Sequence, residues 1–425
     1  MQDTGRIFSV GPFVVCEFKA PLTKDDVLSM RAVSEIPSIA RRRTLALLGA
    51  SSIGLVGCLS RDGSTGSFER VAGEWPVNGN ESGRTRSVNE GPTDPTTVWT
   101  SELDDARTTS TPSIADGRIY VPVDAVTDRA RHRFRLYALE ARTGEEHWHV
   151  PLRADPNSAP AIGSRRIIVS AQRQTDLGRI VAFDDRYGHE EWVYDIDARV
   201  TAAPMIADRT VFVPDWGGDV HALSITDGTV RWSQQVGSNE RDRTFPSPTA
   251  VHDETLYVGS YSGRTGVIAV DAATGDDLWT QPTGRVLAGP VVDDRLVVVR
   301  DDSVVRAFET DGTERWTFSV PDGYGTPLAL DDQHVYVPTR DTLHAITRGG
   351  EKAWTYEPAD ERVGPPTVVG DEVLVDEEET LTALRQADGT TQWSVETNGS
   401  GDAITTPDAI AMSGPGGRVT ALGAE

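Results

Sequence analysis

Tryptophan falls in step along this chain, at Trp99, Trp148, Trp192, Trp232, Trp279, Trp316, Trp354 and Trp393, with gaps of 49, 44, 40, 47, 37, 38 and 39 residues. A period near 40 limits the fold to repeated units that bury their apolar faces against their neighbours, and it suits a four-stranded blade. Each Trp ends a recurring segment. The clearest copies are Ala269 to Trp279, Ala138 to Trp148 and Ala222 to Trp232, with degenerate ones from Ala182 to Trp192 and Ala383 to Trp393. Those from Ala307 to Trp316 and Ala345 to Trp354 are one residue shorter. Glycine (Gly144, Gly188, Gly228, Gly275, Gly389) stands where a hairpin turn needs positive φ, and the Trp lies on the strand that follows. Upstream of each Ala lies another hairpin: a short apolar strand, an acidic turn such as Asp116-Gly117, Asp208-Arg209, Asp253-Glu254, Asp293-Asp294, Asp331-Asp332 or Gly370-Asp371, and a second apolar strand. Four strands per unit, rich in β-branched residues, make a blade.

The repeat Ala-x-Asp-x-x-Thr-Gly-x-x-x-Trp resembles the tryptophan-docking motif of the pyrroloquinoline-quinone-like (PQQ-like) propellers, over about residues 97–425. That family includes quinoprotein alcohol dehydrogenases and the propeller lipoprotein of the bacterial outer-membrane barrel-assembly machine, and the chain also resembles exported propeller lipoproteins of halophilic archaea. The resemblance implies an all-β propeller whose repeating Trp residues pack between blades. Seven units carry their own Trp strand. The last stretch, from Ile404 to Leu422, supplies three strands, and Thr97 to Leu103 is available as the fourth. Pairing the two removes two exposed sheet edges, so eight blades are expected, or seven if the last unit stays unpaired. Trp75-Pro76-Val-Asn-Gly-Asn with Arg84-Thr85 resembles the lead-in before the first blade of such proteins, which places residues 71–96 across one face.

Residues 41–58 place a basic patch before an apolar run of about 14 residues, too short to span a bilayer comfortably. Arg42-Arg43 followed by Thr-Leu-Ala-Leu resembles a twin-arginine export signal, and Leu55-Val56-Gly57-Cys58 resembles a lipobox whose Cys58 becomes the lipidated first residue. Residues 1–57 are therefore read as a signal region, with 1–29 an extension before a conventional start at Met30. Residues 58–70 form a flexible tether rich in Ser, Gly and Thr. The expected location is the outer side of the cytoplasmic membrane, held by the lipid on Cys58 alone.

The 65 acidic residues outnumber the 41 basic ones, a formal net charge of −24, and only Lys19, Lys24 and Lys352 are lysines. Such a surface repels nucleic acid and anionic headgroups, and it matches adaptation to high salt. Both cysteines, Cys16 and Cys58, precede the repeats, so the propeller holds no disulfide or thiolate metal site.

The quinoprotein resemblance implies an adjacent-cysteine disulfide, a Ca²⁺ held by acidic and amide side chains, and a catalytic Asp. The first is missing. Asp301-Asp302, Glu377-Glu378-Glu379 or Asp322 could supply oxygens for Ca²⁺, but runs of this kind on so acidic a chain are expected to be solvated. No cofactor is expected, with PQQ and Ca²⁺ as the alternative. His147 and His149 share one sheet face on an outer strand and are expected to face solvent.

In a propeller, the loops joining second to third strands share a face with the connections between blades. In the first four blades these are long and basic: Arg129, Arg131, Arg133 and Arg135, then Arg173, Arg241, Arg243 and Arg264. Later blades have short counterparts such as Arg300-Asp-Asp-Ser and Asp376-Glu-Glu-Glu-Thr, so half of the face reads as cationic and half as anionic. Trp216, in Pro214-Asp-Trp-Gly-Gly-Asp219, is out of phase with the other Trp residues. It could stack a flat or anionic ligand or a partner segment among Arg133, Arg173, Arg241, Arg243 and Arg264, or else cover the channel mouth while the Arg residues pair with carboxylates. The expected function is a monomeric, non-catalytic binding or assembly scaffold for a protein or extracellular ligand. A PQQ-dependent oxidoreductase and a carbohydrate-binding propeller are the alternatives.

Overall fold

The computed structural model describes residues 66–424, apart from 105, 126–133, 157, 238–243, 263–264, 322–324, 359–361, 378 and 398–400, together with two short strands further upstream. Those strands, Phe8–Val10 and Phe13–Val15, pair antiparallel within a unit of their own, Met1–Leu59. The second unit, Ser60–Glu425, is an eight-bladed β-propeller of four-stranded antiparallel blades.

Blades 1 to 7 run in chain order. Blade 3 serves as the pattern, from Met205–Ala207 at the axis through Thr210–Pro214 and Asp219–Ser224 to Val230–Gln235 at the rim. Blade 1 spans residues 113–152, blade 2 161–196, blade 4 250–281, blade 5 288–319, blade 6 329–356 and blade 7 367–396. Blade 8 joins Ile404–Thr405, Ile410–Ser413 and Arg418–Gly423 to Thr96–Glu102, in the register Ala421↔Trp99 and Val419↔Ser101. The shared last blade expected from the sequence is therefore present.

Burial follows from position. The second strands Thr210–Pro214 and His334–Pro338 are buried at every residue, because both faces of an inner strand are covered by neighbouring blades. The outermost strand is covered on one face only, so Val230–Gln235 buries Trp232 and exposes Arg231 and Ser233 on either side.

The Trp series ties successive blades together. Nε1 donates to a backbone carbonyl of the following blade from Trp99 (to Ala141, 3.0 Å), Trp192 (Ile225, 3.0 Å), Trp232 (Ala272, 3.0 Å), Trp279 (Thr310, 2.9 Å), Trp316 (Arg348, 2.9 Å) and Trp354 (Gln386, 2.9 Å). The turn glycine of that next blade lies against the indole. A Cβ on Gly144 would run into the ring of Trp99, and one on Gly228 into that of Trp192. Both glycines also have positive φ, 71° and 69°, so each meets two demands with one missing side chain. Trp393 faces the seam, where the last two strands of blade 8 are not joined by a turn, and its Nε1 bonds Glu372 of its own blade instead, at 3.0 Å.

The lead-in does more than lie across a face. Its carbonyls accept backbone N–H groups from the innermost strands in turn: Pro76 from Ile162 (2.7 Å), Ser82 from Val251 (2.7 Å), Gly83 from Val292 (2.8 Å), Thr85 from Leu330 (2.8 Å) and Arg86 from Val368 (2.8 Å). Trp75 exchanges two bonds with Ile114, and Ser87–Val88 adds a parallel strand to blade 7. An innermost strand leaves one row of backbone groups facing the axis, and this segment satisfies part of that row at the end nearest the first hairpin turn. The opposite face therefore carries the loops between second and third strands.

Candidate binding face

On the loop face of blades 3 to 5, aromatic side chains and arginines are paired. Trp216 follows the buried Asp215, whose carboxylate accepts the N–H groups of Gly217 (2.8 Å) and Asp219 (3.0 Å) and pairs with His221 Nε2 (3.2 Å). The loop is thereby fixed on its own strand. The half-buried Trp216 donates through Nε1 to Thr201 Oγ1 at 2.8 Å, and the Arg199 guanidinium lies 4.5 Å from the centre of its ring. One blade on, Arg285 lies 5.4 Å from the ring centre of Tyr261, which is 38% exposed, and holds Asp302 at 2.6 Å. The Phe245 N–H on the Asp215 carbonyl (3.0 Å) and the Tyr261 N–H on Thr244 (2.9 Å) link the two loops into one surface.

His221 also places Nδ1 2.8 Å from Ser233 Oγ, so Asp215, His221 and Ser233 form a hydrogen-bonded line. The corresponding positions in blade 5 hold Asp301 and Arg306, joined at 2.7 Å. A carboxylate that can be served by either His or Arg is an anchor tying loop to strand. Ser233 itself lies within the outer ladder, where Nδ1 is shared with Tyr194 at 3.3 Å.

The arginines expected to form a cationic half-face have varied fates. Arg173 binds Asp195 at 2.8 Å, and Arg179 binds the same carboxylate at 2.7 Å, holding it below the usual carboxylate range. Arg135 donates to Tyr137 at 3.0 Å. Arg129, Arg131, Arg133, Arg241, Arg243 and Arg264 lie outside the described residues, as do Arg42, Arg43 and Cys58. Arg199 and Arg285, which do meet the aromatics, were not singled out from the sequence; both sit in connections between blades, the segments that share a face with the Trp216 loop.

The anionic half needs correcting. Asp301, Asp376 and Glu377 are buried rather than solvated, and Arg300, next to Asp301 in the chain, is fully buried as well. Asp301 accepts the N–H groups of Gly284 (3.1 Å) and Val304 (3.1 Å), and Glu377 takes the hydroxyl of Tyr356 (2.7 Å). Asp301 thus closes a loop, as Asp215 does, while Glu377 ties blade 7 to the outer strand of blade 6. His147 and His149 are exposed on the outer strand of blade 1, the latter 2.8 Å from Glu146.

On the axis lies a cavity of about 190 Å³, lined by the starts of the inner strands of blades 1 to 6, with Thr111, Ser158, Thr201 and Ser247 among them, and by Asn78 and Arg84 from the lead-in. A quinone with Ca²⁺ would need an aromatic surface to stack on and carboxylates to hold the cation. The described lining residues supply neither, and the one charged side chain among them, Arg84, is itself a cation. The group does not fit this cavity.

Comparison with known proteins agrees on the architecture. Over 115 residues the chain is 30% identical to outer membrane protein assembly factor BamB of Xanthomonas campestris, a stretch covering 25% of this chain and 28% of that relative. The structure of BamB from Moraxella catarrhalis matches with a TM-score of 0.63 at 17% identity, over 78% of this chain and 98% of that one. Quinohemoprotein alcohol dehydrogenase from Comamonas testosteroni matches with a TM-score of 0.66 at 14% identity, over 82% and 80%. These structural matches speak for the propeller alone. The family model described as outer membrane protein assembly factor BamB matches residues 81–303 and again 300–425, and with nearly the whole propeller so covered, the chain belongs to this PQQ-like propeller family.

Proposed function

We propose that this protein is a non-catalytic scaffold of the cell envelope that holds a protein partner on its loop face, acting as a monomer tethered to the outer side of the membrane by a lipid on Cys58. The observation that carries the reading is the linked pair Trp216 with Arg199 and Tyr261 with Arg285. Aromatic and Arg side chains are the residue types that dominate protein interfaces, and here Trp216 and Arg285 stand on segments braced by the buried Asp215 and Asp301. Membership of a family whose model bears the name of an assembly factor supports the same class of function. A lipobox-like Leu55-Val56-Gly57-Cys58 after Arg42-Arg43 supports export and anchoring. A net charge of −24 argues for a partner with a basic or neutral face and against nucleic acid.

The test is co-purification from membranes at high salt, comparing wild type with Trp216→Ala and Tyr261→Ala. Loss of a central interface aromatic is expected to cost about 2 kcal/mol, roughly thirtyfold in Kd. Unchanged recovery of every partner with both variants would refute the loop-face assignment. Cys58→Ala should release the protein from membranes without altering its melting.

A further inference from the structure

Arg84 is a buried cation with no carboxylate within ion-pair reach among the described residues. It is 3% exposed, and its hydrogen-bond partners are neutral: Nη1 donates to the carbonyls of Pro290 (3.0 Å) and Pro248 (3.4 Å), Nη2 to Asn78 Oδ1 (3.2 Å), and Nε has no partner among the described residues. Burial and the nearby Arg86 lower its pKa to about 9, which leaves it charged at neutral pH. Arg86 is placed differently, since Asp402 exerts a compensating pull on it. The backbone is bent to set both side chains inward, with φ of 60° at Arg84 and 54° at Arg86. Non-glycine residues adopt such values only where the surroundings enforce them. Gly289 completes the arrangement, because a Cβ there would collide with Arg84 Nη1.

A buried guanidinium without a counter-charge costs more than its neutral hydrogen bonds return, and a bound anion would supply the missing charge. Arg84 lines the axial cavity of about 190 Å³ together with the hydroxyl-bearing Thr111, Ser158, Thr201 and Ser247. We propose that this cavity is an anion site, with Arg84 as its charge and a small free monocarboxylate, of the size of formate or acetate, as its ligand. Three of the five guanidinium N–H groups meet neutral oxygens, and two, on Nε and Nη2, are left without an acceptor among the described residues, which suits a single small negative charge; the two carbonyls already on Nη1 would repel a dianion more strongly. The site lies inside the ring and does not rest on the loop-face reading.

The experiment is calorimetric titration of the isolated protein with formate, sodium gluconate holding the ionic strength, beside Asn78→Asp and Arg84→Gln. Asn78→Asp sets a carboxylate about where Oδ1 now meets Arg84, neutralising the cation from within. Saturable binding to wild type is expected, at least tenfold weaker in Asn78→Asp and lost in Arg84→Gln. Asn78→Asp should also melt no lower than wild type without formate, so the proposal stays testable if Arg84→Gln does not fold. A crystal grown in formate should show the anion against Arg84. Absent binding to wild type, unchanged affinity in Asn78→Asp, or formate located elsewhere would overturn the site.

Discussion

Asp376, at the end of the second strand of blade 7, is an acid that folding makes weaker. Burial raises its carboxyl from 3.8 to about 7, Asp402 and Glu377 add to the shift, and the Gly401 N–H and Arg362 oppose it. Its Oδ1 has no hydrogen-bond partner among the described residues. Between pH 4 and 7 the folded chain therefore binds more protons at this site than the unfolded chain, and its contribution to stability falls as pH rises. Asp376→Asn, which stays neutral, should gain on wild type by on the order of 1 kcal/mol per pH unit across that window, read from urea midpoints at pH 4, 5.5 and 7. A pH-independent difference between the two would disprove the assignment. Nothing in the sequence marks Asp376 or Glu377 as buried, since 65 acidic residues give each the look of a solvated one. Arg84 and Arg86 escape sequence reading for a similar reason: inward placement at positive φ is set by six inner strands contributed from the rest of the chain. Trp216 stands out because it breaks a period, whereas Arg199 and Arg285 break none.

At the scale of the element, the repeat was legible because docking imposes one residue type at one place per blade. The turn glycine and the preceding blade's indole need each other, and both are rare enough to be counted by eye. Blade 1 separates the two demands on such a glycine. Gly117 and Gly144 have nearly equal φ, 72° and 71°, yet a Cβ on Gly117 meets nothing within 4 Å while one on Gly144 meets Trp99. Gly117→Ala should lose only the backbone term, about 1 kcal/mol, and Gly144→Ala should lose that and a packing term of about 1–3 kcal/mol more. Thermal melts of the two variants side by side provide the check, and equal losses would show that the indole yields freely. The lead-in was legible as a segment but not as a sealing strip, because its bonds are made by carbonyls and any side chain can supply those.

For the whole molecule, closure is the feature on which the ring depends. Arg418–Gly423 hydrogen-bonds Thr96–Glu102, and no other blade takes a strand from so far away in sequence. Truncation after Gly417 would leave Thr96–Glu102 unpaired and turn Ile410–Ser413 into an open edge, with the apolar seam at Trp99 uncovered. Such a chain should lose its single cooperative melt and self-associate, as seen by circular dichroism and size-exclusion chromatography in high salt. An unaltered transition would mean that seven blades hold together unaided.

The same pairing sets a timetable for synthesis. Thr100 and Thr420, neighbours in blade 8, are 320 residues apart in the chain. At ~5–20 residues per second a ribosome needs on the order of tens of seconds to deliver the second strand after the first. Throughout that interval Thr96–Glu102 is an unpaired strand carrying an uncovered Trp99, and the lead-in has no finished set of inner strands to cross. Blades 1 and 7, which flank the shared blade, cannot gain their last neighbour until it closes, so completion of the ring comes late. A cell that makes it therefore gains from guarding that edge until release.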